Sequence, residues 1–155
     1  MRQFIAVLLT CILSACANSP SAPQILPTSQ TYSAPKSVVW PLLVSEISVN
    51  YPVRSAQKTR GLLNTKFVSM PAGFNNANMG QWVIPPSGRL ATWGGLRMKM
   101  SIRVIEPEPG KTTITIRAFY EAYEDNVSHS WIVCETNGSL EHQILANIAD
   151  KLPKS

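Results

Sequence analysis

Nucleophilic and metal-binding side chains are few in this chain of 155 residues: three cysteines (Cys11, Cys16 and Cys134) and two histidines (His129 and His142). A thiol nucleophile needs a base within hydrogen-bond reach. The histidine nearest to Cys134 in sequence is His129. A strand over 129–135 puts His129 on the face of Trp131 and Val133, while Cys134 points the other way. The spacing therefore predicts a small buried cysteine, not a catalytic dyad. His142 falls on the polar side of a helical pattern and is expected in solvent. The sequence has no Cys-x-x-Cys, no His-x-x-x-His and no EF-hand spacing of carboxylates, so neither a metal nor a cofactor is expected. Glu121, Glu124 and Asp125 are close in sequence and read as a solvated loop at a strand end. Trp93-Gly94-Gly95 lacks the strand–helix context of a phosphate loop and reads as a bulge or bend where a strand starts. A basic set remains, Arg97, Lys99, Arg103 and Arg117, on one face of an alternating run. Two readings are open for it. It is a solvated sheet surface with Glu121 as partner, or it docks an acidic partner or lipid headgroups. The formal charge of +5 is spread thinly, without a Lys/Arg run, so nucleic acid is not expected as a partner.

The remaining reactive thiol lies near the start. One positive charge, Arg2, precedes the apolar stretch from Phe4 to Leu13, which is the layout of a secretory signal. That stretch is too short to span a bilayer, which takes about 20 apolar residues. It ends in Leu13-Ser14-Ala15-Cys16. This resembles the lipobox of bacterial lipoproteins, in which a small residue precedes the cysteine that is acylated and becomes residue one. The resemblance implies that residues 1–15 are removed and that Cys16 carries the lipid, usually three acyl chains, which tie a protein firmly to a bilayer. Cys11 follows the bulkier Thr10 and does not fit. Ala17 is not the aspartate that retains such proteins in the inner membrane of enteric bacteria, so outer-membrane residence facing the periplasm is expected. Cys134 is then left without a partner for an internal disulfide.

Residues 16–35 are rich in Pro, Ser, Thr and Ala and read as the lipidated cysteine plus a flexible tether, reaching roughly 60 Å at full stretch. A single domain is expected over 36–155. Ser33 is the expected cap of a first helix, with Pro35 in its first turn. Trp40, Leu43, Val44 and Ile47 share one face of that helix and Glu46 lies on the other, until Asn50-Tyr51-Pro52 ends it. Strands are predicted over 53–57 and 62–68, joined by a turn at 58–61. Met98, Met100, Ile102 and Val104 alternate with polar residues. Beyond Glu106-Pro107-Glu108-Pro109-Gly110 so do Ile114, Ile116, Ala118 and Tyr120, which predicts a β-hairpin. Pairing Val104 with Ile114 keeps every apolar residue on one face and sets Arg97 opposite Glu121. A last strand over 131–135 leads to a helix capped by Ser139, stopped by Pro153 and apolar along Leu140, Ile144, Leu145, Ile148 and Leu152. The expected fold is a two-layer α+β domain, with an antiparallel sheet of about five strands packed by an N-terminal and a C-terminal helix.

Residues 69–88 show no clear periodicity yet carry Phe74, Met79, Trp82, Val83 and Ile84. Aperiodic segments of this length inside a domain are unusual. The segment folds back as an extra strand and lid over the sheet, or Phe74, Met79 and Trp82 present anchors to a partner, or both hold at once.

Val39-Trp40 with Leu43 and Ile47, Tyr51-Pro52-Val53 entering a strand, the turn at Gly61, and the closing helix with Ile144-Leu145 and Ile148 resemble the domain of BamC, the lipoprotein of the β-barrel assembly machinery. The likeness covers most of the chain after the tether and rests on hydrophobic pattern. It departs in having one such domain, where that family has two behind a long N-terminal segment. Acylated Cys16, a tether, one small domain and no catalytic set are read as a non-enzymatic, lipid-anchored scaffold or accessory subunit of an outer-membrane complex; the resemblance implies barrel assembly, and a single such domain equally suits secretion or pilus machinery. Its partners would be the bilayer, through Cys16, and other outer-membrane or periplasmic proteins. The alternative is a periplasmic carrier or sensor of a small apolar ligand.

Overall fold

The computed structural model describes residues 25–70, 78–86 and 92–153. It is an α+β fold with two helices and one antiparallel sheet of eight strands, against the five expected. The sheet is built on the hairpin of β6 (Trp93–Glu108) and β7 (Lys111–Glu124), whose register is the expected one. Val104 faces Ile114, Ile102 faces Ile116, Met100 faces Ala118, Met98 faces Tyr120 and Arg97 faces Glu121. Burial alternates along β7 throughout and along β6 from Leu96 to Val104, so a slip of one residue would put the whole apolar set in water. A register shift between Trp93 and Gly95 marks the bulge expected at the glycine pair. A side chain at Gly94 would collide with the Asp125 carboxylate.

The extra strands come from segments with little apolar signal. β1 (Ser29–Tyr32) lies inside the stretch read as tether and pairs with β7 from Thr112 to Thr115. Its pairing rests on backbone and hydroxyls: Ser29 Oγ lies 2.9 Å from Thr115 Oγ1, and Thr31 Oγ1 lies 2.8 Å from Thr113 Oγ1. Only Tyr32 is buried, and its hydroxyl donates to the Leu145 carbonyl at 2.8 Å. Burial pushes its pKa up to about 12. The expected boundary at residue 36 is therefore too late. Leu26 N–H already donates to the Asn137 carbonyl.

β2 (Val53–Gln57) and β3 (Leu62–Thr65) form the second hairpin, turning at Gly61, whose φ is +64°. A Cβ there would sit 1.9 Å from the Val104 carbonyl oxygen. The strand expected over 62–68 breaks in two. After Lys66 and Phe67 it resumes as β4 (Val68–Ser69), back on the edge of β6. In the segment read as lid, anchor or both, the described residues 78–86 fold back: after a 3₁₀ turn (Met79–Gln81), β5 (Val83–Ile84) pairs with β8 (Ser130–Thr136). β8 in turn pairs with the far half of β7.

Each long central strand is thus flanked by two short strands in series, and both flanks are interrupted at the same rung. At Met100 the N–H donates to Thr65 Oγ1 (2.8 Å). At its cross-strand partner Ala118, the N–H donates to the buried Glu141 carboxylate (3.3 Å), which also accepts from Thr136 Oγ1 (3.1 Å). Side chains complete the ladder there, as buried backbone donors require.

The helices α1 (Lys36–Asn50) and α2 (Ser139–Lys151) bury Val39, Trp40, Leu43 and Ile47, and Leu140, Ile144, Leu145 and Ile148, against the apolar side of the hairpin. Neither expected cap holds. Pro35 occupies the N-cap of α1, with its carbonyl accepting from Val38 and Val39, and Gly138 at φ +79° occupies that of α2. Asn137 Oδ1 accepts from Ser139 N–H at 3.0 Å. Glu46, expected on the solvent side of α1, ties the helices together by pairing with Lys151 and accepting from Asn147 Nδ2 at 2.8 Å. No helix among the described residues is long and apolar enough to cross a membrane.

Candidate functional site: the uncovered sheet face

Because successive strand residues alternate between faces, the hairpin that buries Met98 to Val104 turns Arg97, Lys99, Ser101 and Arg103 outward. Thr113, Thr115, Arg117, Phe119 and Glu121 project on the same side. Both helices pack on the other side. Among the described residues nothing covers this face, and Phe67 (40% exposed), Phe119 (47%), Trp131 (38%) and Val133 (76%) emerge on it.

The four basic residues expected to act together are all on this face, with different surroundings. Arg97 is half-buried and fixed. Its Nε donates to Glu121 Oε2 at 2.6 Å and its Nη2 lies 2.5 Å from the same oxygen. Its guanidinium is held between two rings, 4.2 Å from the centroid of Trp131 and 4.8 Å from that of Phe67. Lys99 Nζ stands 4.7 Å from the centroid of Phe67 and 5.9 Å from that of Phe119. Cations at such distances are attracted by the ring quadrupole. Trp131, Arg97, Phe67, Lys99 and Phe119 therefore form one alternating row of rings and cations, and Tyr123 extends it beside Trp131 (centroids 5.4 Å apart). Arg103 and Arg117 are exposed, without a carboxylate partner among the described residues. Beside Lys99 the face dips into a groove of about 620 Å³ lined by Arg54, Ser55, Asn64, Thr65, Lys99, Met100, Ser101 and Phe119.

Of the anchors expected from residues 69–88, the two described ones, Met79 and Trp82, pack against the core. Met79 is 1% exposed and belongs to the core, so it is not available as a surface anchor. Trp82 is half-buried against the same core. Phe74 lies outside the described residues, as do Cys16 and the expected signal peptide. Conversely, Phe67, Phe119 and Trp131 join the site without being among the expected site residues. Phe119 and Trp131 did carry a signal, since each is an aromatic at an outward position of an alternating run. Phe67 carried none, because it sits where the strand pattern breaks.

The other chemistry-bearing groups are in structural positions. Cys134 is buried, its thiol donating to the Ile132 carbonyl at 3.5 Å, and burial pushes its pKa up. Glu124, expected in solvent, is 1% exposed: the loop after β7 folds its backbone onto the carboxylate. The N–H groups of Asn126, Val127 and Ser128 donate to it at 3.2, 2.8 and 2.6 Å. The Ser128 hydroxyl and these donors hold its pKa down at about 2, against the opposing effect of burial. His142 is exposed, as expected. Among the described residues no group of three or more His, Cys, Asp and Glu side chains is placed to hold a metal ion.

Comparison with known proteins places no label on this geometry: no protein-family model matches the chain, and no curated protein matches it.

Proposed function

We propose that the chain is a non-enzymatic accessory subunit of an outer-membrane complex, anchored by acylated Cys16 at the periplasmic face, and that it docks a protein partner through the uncovered sheet face. The observation that carries this reading is the row of Trp131, Arg97, Phe67, Lys99 and Phe119. Large aromatics and arginines dominate interface energies, and here they are fixed in place before any partner arrives. The Leu13-Ser14-Ala15-Cys16 motif supports the anchor. Two helices packed on one face of an antiparallel sheet, in the order strand, helix, strands, helix, are the coarse α+β layering on which this reading builds, and the likeness to the BamC domain rests on the hydrophobic pattern alone. The complex would be one for barrel assembly, secretion or pilus formation.

Membranes from cells fed labelled palmitate, solubilised in mild detergent, provide the test. Wild-type chain should carry the label and co-purify with a protein partner in fixed ratio. The Cys16→Ser chain should lose the label, and Phe67→Ala/Trp131→Ala should lose the partner while keeping the label. A chain that always elutes alone and monomeric would sink the docking reading, and label retained by Cys16→Ser would sink the anchor.

A further inference from the structure

Resting on that docking reading, we infer that the partner's contribution is an extended acidic segment lying along the β6–β7 hairpin with alternate carboxylates over Lys99, Arg117 and Arg103. The register supplies the spacing. Lys99 faces Phe119, Ser101 faces Arg117 and Arg103 faces Thr115, so the three cations occupy successive outward rungs of the hairpin. Such rungs recur about every 6.8 Å, because side chains on one face of a strand are two residues apart. An extended peptide running alongside has the same repeat on its own facing side. A carboxylate at every second residue therefore meets each cation in turn.

The groove fixes the sign of the ligand and its shape. Arg54 and Lys99 line it, Ser55, Asn64 and Ser101 offer hydroxyl and amide donors, and Phe119 forms an apolar side. Among the described residues no carboxylate lines it. A recess of about 620 Å³ admits side chains of a peptide, whereas a bilayer surface has nothing to fill it. Lys99 is positioned between the rings of Phe67 and Phe119, so little side-chain freedom remains to be lost on contact. Arg97 already has Glu121 and stands outside the ladder of free cations.

The mature lipoprotein in uncharged detergent micelles can be titrated with a labelled peptide alternating glutamate and serine, and with a peptide of the same composition whose glutamates form one block. The alternating peptide should bind more tightly, and raised salt should weaken it. Lys99→Glu/Arg117→Glu should lose about tenfold in affinity with an unchanged melting temperature, and Arg117→Lys should retain most of it. Equal affinity for the block peptide would overturn the inference. So would binding of phosphatidylglycerol vesicles, but not the peptide, through the same cations. If partner capture from membranes survives the two charge reversals yet fails in Phe67→Ala/Trp131→Ala, the acidic segment is wrong and docking by this face stands.

Discussion

Glu124 is held by three backbone N–H groups and the Ser128 hydroxyl, which stabilise its ionised form. Its folded pKa of about 2 lies below the ordinary 4.5, so its contribution to stability is present above pH 4.5 and is lost as pH falls from there towards 2. Glu46, lowered mainly by the hydrogen bond from Lys151 and then by that from Asn147, acts in the same direction. Urea unfolding measured at a series of pH values should show the wild-type midpoint falling over this acid range. Glu124→Gln should flatten that slope, and Glu46→Gln/Glu124→Gln should flatten it further. An unchanged slope in the double variant would remove the pH dependence from both groups. Neither role was legible in the sequence. Glu46 and Glu124 looked like surface acids, because what selects them is a neighbouring helix or a loop backbone, which leaves no periodic trace.

Among the elements, the hairpin was the most legible. Alternation fixed its faces and excluded a one-residue slip, and the opposite-charge pair Arg97 with Glu121 agreed with the register observed. β1 was not legible, because Ser29, Thr31 and their partners Thr115 and Thr113 pair through hydroxyls and backbone, and a Ser/Thr-rich tract reads as tether. β5 was not legible because two residues carry no period. The interrupted rung yields a prediction at this scale. Thr65→Val keeps shape but strips the acceptor from a buried donor, Met100 N–H, at a cost of about 1–3 kcal/mol. Amide exchange should accelerate most at Met100, and protection there equal to wild type would contradict the assignment. The turns give a second. Gly61→Ala forces φ +64° on an alanine and drives its Cβ into the Val104 carbonyl, whereas Gly110→Ala at φ +78° meets open space. Thermal melts should show the first substitution clearly more damaging than the second, whose cost is about 1 kcal/mol of left-handed backbone strain.

For the molecule as a whole, the sheet divides labour between its faces: one is sealed by α1 and α2, and the other is left to rings and cations. The layering was readable from helical and strand periods, and the uncovered face was half readable, as a basic stripe without its aromatics. Removing residues up to Ser33 should test how far the domain extends. If the segment were a dispensable tether, melting would not change. The structure instead calls for a clear loss, since β1 closes the edge of β7 and Tyr32 is buried against α2.

That early start also sets a leash. With Cys16 as the proposed anchor and Leu26 already hydrogen-bonded to Asn137, residues 17–25 separate bilayer from domain, a span of at most about 32 Å. A body so closely moored samples a thin shell above the lipid. Partners embedded in the same membrane then meet it in two dimensions, at an effective concentration of about millimolar if their docking segment rises to that height. Weak individual charge contacts would suffice in such a setting. Lengthening the leash with a Gly/Ser insert after Ala17 should dilute the encounter and lower partner occupancy without touching the docking face.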